Sequence, residues 1–238
     1  RGPQGIGALM LSHLRIIEAQ AGILAFYDGR IEGHRFADGP NWVDDGALSL
    51  GIASYALVAG DQAIVYDTHV SVPHGRFIRD ALTARGVRHI RVVLSHWHLD
   101  HVAGTEAFAG CQIIATERTL AHLAAHRAGI EDGSFHGAPA ICPLILPDTT
   151  FSGRLVLSLG GEQVELIEAN IHSDDACVIW LPERRVLLAG DASHLNNPLG
   201  GFGMNSGIHD AFNACEKLAA IINDRASADL LDLYDRQR

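Results

Sequence analysis

The chain has 238 residues, 47% of them hydrophobic and 19% charged, which suits a folded domain with a sizeable core and excludes a disordered chain. Lysine and arginine number 18 against 28 aspartates and glutamates, for a net charge of -10. That acidic balance, with no basic run longer than Arg184-Arg185, argues against nucleic acid or an anionic membrane as partner, and no apolar run is long enough to span a bilayer.

Along the chain, Arg1 to Gly7 reads as a lead-in. Ala53 to Val58 and Ala63 to Tyr66 are short apolar runs separated by Gly60-Asp61, the pattern of an antiparallel hairpin. The second run stops in Asp67-Thr68-His69. Gly75 to Arg85 is expected to be helical, with Phe77, Ile78, Ala81 and Leu82 on one face and Gly86 closing it. Ile90 to Leu94 is a wholly apolar strand that runs into Ser95-His96-Trp97-His98-Leu99-Asp100-His101.

A short helix from Thr105 to Phe108, a strand from Gln112 to Ala115 and a helix from Glu117 to Ala128 follow, then a Gly/Pro-containing connection from Gly129 to Pro143. Leu155 to Leu159, Val164 to Glu168, Cys177 to Leu181 and Val186 to Ala189 are further strands. The implied architecture is α/β, sheet layers flanked by helices. After Asp191 the chain turns rich in Asn and Gly up to Gly207. A helix with Ile208, Phe212, Cys215, Ala219 and Ile222 on one face follows, and a last short helix covers Ser227 to Arg236.

Cys111, Cys142, Cys177 and Cys215 lie far apart without CxxC spacing, as reduced thiols do. With no secretory pattern visible, the expected location is cytoplasmic.

His96, His98, Asp100 and His101 fall just beyond a buried strand. In extended chain, side chains two apart point the same way, so His96 and His98 can share one metal ion. Asp100 and His101, where the chain turns, can face a second position. His172 and Asp191 also follow strands, and the Asp191 carboxylate can bridge two ions. Imidazole with carboxylate suits zinc, and also manganese or iron. Metals so placed lower the pKa of a shared water and polarise a carbonyl or phosphoryl oxygen. His69 is a candidate to line or support the site, and Trp97, pointing away from its neighbours by alternation, is expected to pack.

The stretch from about Gly51 to Asp191, through its His96-x-His98-x-Asp100-His101 motif, resembles the metallo-β-lactamase superfamily. The resemblance implies a four-layer αββα metallo-hydrolase sandwich with a metal centre at one edge of its sheets. It implies that His96, His98 and His172 hold one ion, that Asp100 and His101 hold a second, and that Asp191 bridges. Asp67 would support the site from behind, and the Gly22 to Arg30 and Asn41-Trp42 regions would form a variable N-terminal extension. The superfamily acts on β-lactams, thioesters, lactones, phosphodiesters and sulfate esters, so the substrate stays open.

The same resemblance asks for one more histidine after the bridging aspartate, and only His194 and His209 follow it. Both stand as candidates. The body is therefore read as C-terminally truncated or replaced, with residues 1–191 as the metallo-β-lactamase-like domain and 192–238 as an atypical loop and two helices. Gly190 to Asn213, continuing through Lys217-Leu218-Ala219, resembles the second flavin-binding motif of aromatic-ring monooxygenases. A dinucleotide site needs a strand, GxGxxG and a helix. Gly2-Pro3-Gln4-Gly5-Ile6-Gly7 has the wrong spacing and no preceding strand, so FAD is not an expected cofactor.

The expected function is hydrolysis of an ester, lactone, amide or phosphoester of a small-molecule substrate by metal-held hydroxide, with one or two zinc ions. Asp100 would orient the nucleophile or handle its proton, with Asp191 as the second catalytic carboxylate. A metal-binding protein with little catalysis is the alternative, and a flavin-dependent monooxygenase fragment is a third. A layered body that lacks outer elements exposes apolar sheet, so dimerisation, as a homodimer, or poor solubility is expected.

Overall fold

The chain divides into two compact units, residues 1–190 and 191–238. The structure, a computed structural model, describes residues 11–189. These build two sheets. The first has seven strands in chain order: β1 (Arg15–Gln20), β2 (Ile23–Asp28), β3 (Ile52–Ala59), β4 (Gln62–Tyr66), β5 (His89–Val93), β6 (Gln112–Thr116) and β7 (Thr149–Phe151). The second has four: β8 (Arg154–Leu159), β9 (Glu162–Glu168), β10 (Cys177–Leu181) and β11 (Val186–Leu188), each antiparallel to the next.

The first sheet changes character midway. β1 to β4 pair antiparallel, and β4 to β7 pair parallel. Ala63, Ile64, Val65 and Tyr66 are all buried, as expected of a parallel strand covered on both faces. The crossovers between parallel strands are helical. α1 (Val72–Ala84) links β4 to β5, and α3 (Glu117–Asp132) lies between β6 and β7. Between β5 and β6 come the single turn α2 (Leu99–Val102) and a 3₁₀ turn at Thr105–Phe108. The consequence for function is geometric: β4, β5 and β6 all end at the same edge of the sheet.

Two apolar cores hold the layers. One packs helix residues Ile78, Leu82, Leu123 and Ile130 against Phe26, Val65, Val92 and Ala115 of the first sheet. The other lies between the sheets and contains Ile64, Tyr66, Val93 and Ile114 facing Leu166, Cys177, Ile179 and Leu181. The sheet-on-sheet arrangement with helices outside agrees with the α/β expectation. Among the described residues the helices pack on the seven-stranded sheet.

The Gly22 to Arg30 segment is built into the first sheet: Ile23 to Asp28 pair residue by residue with Leu57 to Ile52, and Phe26 is fully buried in the helix-side core. The Asn41-Trp42 region does lie outside the sheet, at the start of a π-helical turn over Val43–Leu48, tied down by the Trp42 indole N–H donating to the Pro139 carbonyl at 2.9 Å. Helix ends differ from the expected ones. α1 begins at Val72 because Ser71 caps it and a proline occupies its first turn. α3 runs past Gly129 to Gly133, whose left-handed conformation ends it.

Candidate metal centre

Three parallel strands deliver polar residues to the shared edge. Asp67 follows β4, Ser95 and His96 follow β5, and Thr116 ends β6. The second sheet adds its own segment there: the loop from Ala169 to Ala176 between β9 and β10 carries His172. The two sheets are tied at this edge by the Cys177 amide donating to the Ser95 carbonyl at 2.8 Å and the Tyr66 hydroxyl donating to the Cys177 carbonyl at 2.6 Å. Sheet packing thus brings His172 to its partners across some seventy residues of sequence.

The structure brings His96, His98 and His172 together, with one ring nitrogen from each lying within 4.8 Å of the others. His98 Nδ1 sits 2.8 Å from His96 Nε2 and 3.2 Å from His172 Nε2. A ring nitrogen carries either one lone pair or one proton, so it serves one hydrogen-bond partner well and not two. Three imidazole nitrogens aimed at one point are better matched to a cation than to each other, and a set of three imidazoles is the donor chemistry of zinc. The residues fit the metal.

Next to this cluster stands the second predicted pair. His101 Nε2 is 3.5 Å from Asp100 Oδ2, and the His101 ring lies 4.3 Å from that of His96, centroid to centroid. The Asp67 carboxylate fixes His101 from behind: Oδ2 meets His101 Nδ1 at 2.8 Å, and Oδ1 accepts the Ser95 amide at 2.7 Å. A carboxylate accepts, so Nδ1 carries a proton, and Nε2 is the nitrogen turned to the Asp100 side. Asp67 pays for this place with a left-handed backbone, φ 68°, held by its amide on the Val93 carbonyl and by Thr68 on the His101 carbonyl.

Asp191, His194 and His209 lie outside the described residues. His69 is described and is fully buried, close enough to His101 to feel its charge and packed against a second polar network. Its ring stacks on His74 at 4.5 Å, and its Nδ1 accepts the Val70 amide. His74 in turn is bonded to Ser71 Oγ at 2.7 Å and to the buried Asp28 carboxylate at 3.1 Å. Trp97 packs as expected, stacked on His122 and His126 of α3, each at 5.1 Å.

Burial disfavours the charged form of two of these imidazoles, His98 and His69. Burial, then the neighbouring His172, holds His98 below the ordinary value of 6.5, which favours the uncharged, ligating form. Burial, then His74 and His101, holds His69 well below 6.5. The unfolded chain therefore binds more protons than the folded one just below pH 6.5, so stability falls as pH drops through that value. For the fully buried His69 the slope is about 1.4 kcal/mol per pH unit until its folded value is reached. Urea unfolding of metal-free protein across this range should reveal that slope. His69→Asn, which tolerates the left-handed backbone (φ 70°), should reduce it by about one proton; an unchanged slope would count against His69 as its source.

Solved structures supply the fold. The metallo-beta-lactamase DIM-1 aligns over 87% of this chain and 85% of its own, with a TM-score of 0.57 and 19% identity. A metallo-beta-lactamase from Pontibacter korlensis aligns over 87% of each chain, with a TM-score of 0.57 and 17% identity. The chain has the metallo-beta-lactamase fold. At such identity the likeness concerns architecture alone.

Sequence comparison points to the other pattern. The family model described as FAD binding domain matches residues 170–238. A rifampicin monooxygenase of Rhodococcus hoagii is 56% identical over 54 residues, 23% of this chain and 11% of that protein. The matches span between 10% and 20% of the length of the curated relatives. The family match begins before His172, so the third imidazole of the cluster comes from a stretch that also reads as flavoprotein sequence.

Proposed function

We propose that the protein is a zinc-dependent hydrolase acting on an ester, lactone, amide or phosphoester of a small molecule. The observation that carries the proposal is the convergence of His96, His98 and His172 at one sheet edge. Those three residues would hold one ion, and Asp100 with His101 would contribute to a second. A divalent ion held there supplies Lewis acidity and brings the pKa of water towards neutral. The chain's own contribution is placement. Asp67 keeps the proton of His101 on Nδ1, and Asp100, with its side chain 26% exposed, can accept a proton at Oδ2 from a water or substrate at the edge. The free thiols of Cys111, Cys142 and Cys177 support a reducing, cytoplasmic setting. Among the described residues no helix is long and apolar enough to cross a membrane.

Protein purified without chelator should carry between one and two zinc ions per chain by elemental analysis. It should turn over at least one member of an ester, lactone and phosphodiester panel, with loss of turnover on chelation. Folded protein without metal would end the proposal, while metal without turnover would leave a binding protein. A second reading rests on the family match at residues 170–238. It takes flavin as a ligand, and its test is whether added FAD stays with the protein through gel filtration.

A further inference from the structure

We propose that Asp175 is the positioning residue of the imidazole cluster, locking the His96–His98 turn and the His172 loop onto the first turn of α3 through hydrogen bonds to its carboxylate. The proposal rests on the metal-centre reading above.

The side chain is fully buried. Oδ2 accepts the Trp97 amide at 2.9 Å and the Thr119 hydroxyl at 2.9 Å, while Oδ1 accepts the Ser173 hydroxyl at 2.5 Å. The donors are all neutral. Burying a carboxylate is costly, and neutral donors offset that cost only by meeting its oxygens closely. What those donors belong to is the point. Trp97 is the residue between His96 and His98, so holding its amide fixes the peptide that spaces two imidazoles. Ser173 is the residue after His172. One carboxylate therefore grips chain next to each of the three candidate ligands.

The far side of the clamp is rigid. Thr116 caps α3, its hydroxyl accepting the Thr119 amide at 3.1 Å and donating to the Asp175 carbonyl at 2.9 Å. Thr119 also reaches that carbonyl, at 3.2 Å. The adjacent Asp174 makes the exposed version of the same link, with His122 at 3.0 Å and Arg118 Nη1 on its carbonyl at 2.9 Å. Its side chain is 55% exposed, so its link is screened by water and is expected to matter little. Ligand orientation is commonly set by such outer contacts, and their loss costs about 10- to 100-fold in metal affinity.

The test compares the full chain with Asp175→Ala, Asp175→Asn and Asp174→Ala. Zinc affinity is read by chelator competition, the visible spectrum of the cobalt-substituted protein reads ligand geometry, and circular dichroism of the metal-free form controls for folding. Asp175→Ala should lose about 10- to 100-fold in affinity and change the cobalt spectrum. Asparagine keeps a carbonyl oxygen for Trp97 and Thr119 and can donate to Ser173, so Asp175→Asn should recover most of both. Asp174→Ala should match wild type.

A folded Asp175→Ala protein with unchanged affinity and spectrum overturns the proposal. So does an Asp175→Asn protein as impaired as the alanine variant, which would assign the effect to charge. Should Asp175→Ala fail to fold, Ser173→Ala cuts only the Oδ1 contact and should weaken zinc binding several-fold; unchanged binding overturns the proposal there. Wild-type protein that takes up neither zinc nor cobalt instead removes the metal-centre reading itself.

Discussion

Replacing His98 with alanine is expected to abolish tight zinc binding, a larger loss than the roughly 100-fold upper range for removing an outer contact. His98 is singled out by geometry. Its Nδ1 is the nitrogen that approaches both others, 2.8 Å from His96 Nε2 and 3.2 Å from His172 Nε2. Without it two imidazoles remain, from segments that come together only when the two sheets pack. The effect should also appear in stability. A ligand bound by the folded state alone adds about 2.7 kcal/mol when present at 100 times its Kd. Wild type should therefore melt higher with zinc than without, and in His98→Ala that gain should be much smaller. The metal-free variant itself should be no less stable than the metal-free parent, because alanine relieves crowding among imidazoles. Elemental analysis with paired melting curves checks both halves. A variant that retains a full zinc complement would remove His98 from the ligand set.

Most of the site was legible because its residues sit where apolar runs stop. Ile90 to Leu94 is too apolar to be anything but a buried strand, and the HxHxDH segment had to lie at its end. Asp67 also stands where an apolar run stops, after Ala63 to Tyr66, and its supporting role was implied by the family resemblance. Asp175 was not legible. Asp174 and Asp175 are neighbours of identical chemistry, and nothing in their order says that one is largely exposed while the other is fully buried. That difference comes from the α3 cap, which no local pattern encodes. His69 follows the same strand as Asp67, and its ring stacks on His74 of α1.

The fold divides in the same way. β3, β4 and β5 carry strong apolar signatures, whereas β1 is mostly exposed along its length and offers no alternation to read. It is a strand by virtue of its partner, since pairing with β2 satisfies its backbone. β7 is three residues long and exists because β6 lies beside it. In α3, Gly129 read as a stop. The helix passes through it, and a side chain there would press on Ser134 and Phe135, 3.2 and 3.3 Å from the position of a Cβ. A glycine that marks a close approach looks, in sequence, like a glycine that ends a helix.

Two substitutions at Asp67 should separate the stability of this edge from its chemistry. Asp67→Ala leaves two buried donors, the Ser95 amide and His101 Nδ1, without an acceptor. Each such loss costs about 1–3 kcal/mol, so a destabilisation of about 3 kcal/mol or more is expected in the metal-free protein. For a domain of this size that lowers Tm by about 6–12 °C. Asp67→Asn is the sharper experiment. Its carbonyl oxygen can keep the Ser95 amide, but its NH2 group then faces His101 Nδ1, which can accept only by giving up its proton. The proton moves to Nε2, the nitrogen now 3.5 Å from Asp100. A protonated Nε2 cannot ligate. The asparagine variant should therefore melt close to wild type, keep an ion at the three-imidazole cluster and lose one at the Asp100–His101 position. Metal stoichiometry beside a nitrogen-15 tautomer measurement on His101 reads this directly. An asparagine variant with unchanged stoichiometry and Nδ1 still protonated would show that Asp67 does not set the tautomer.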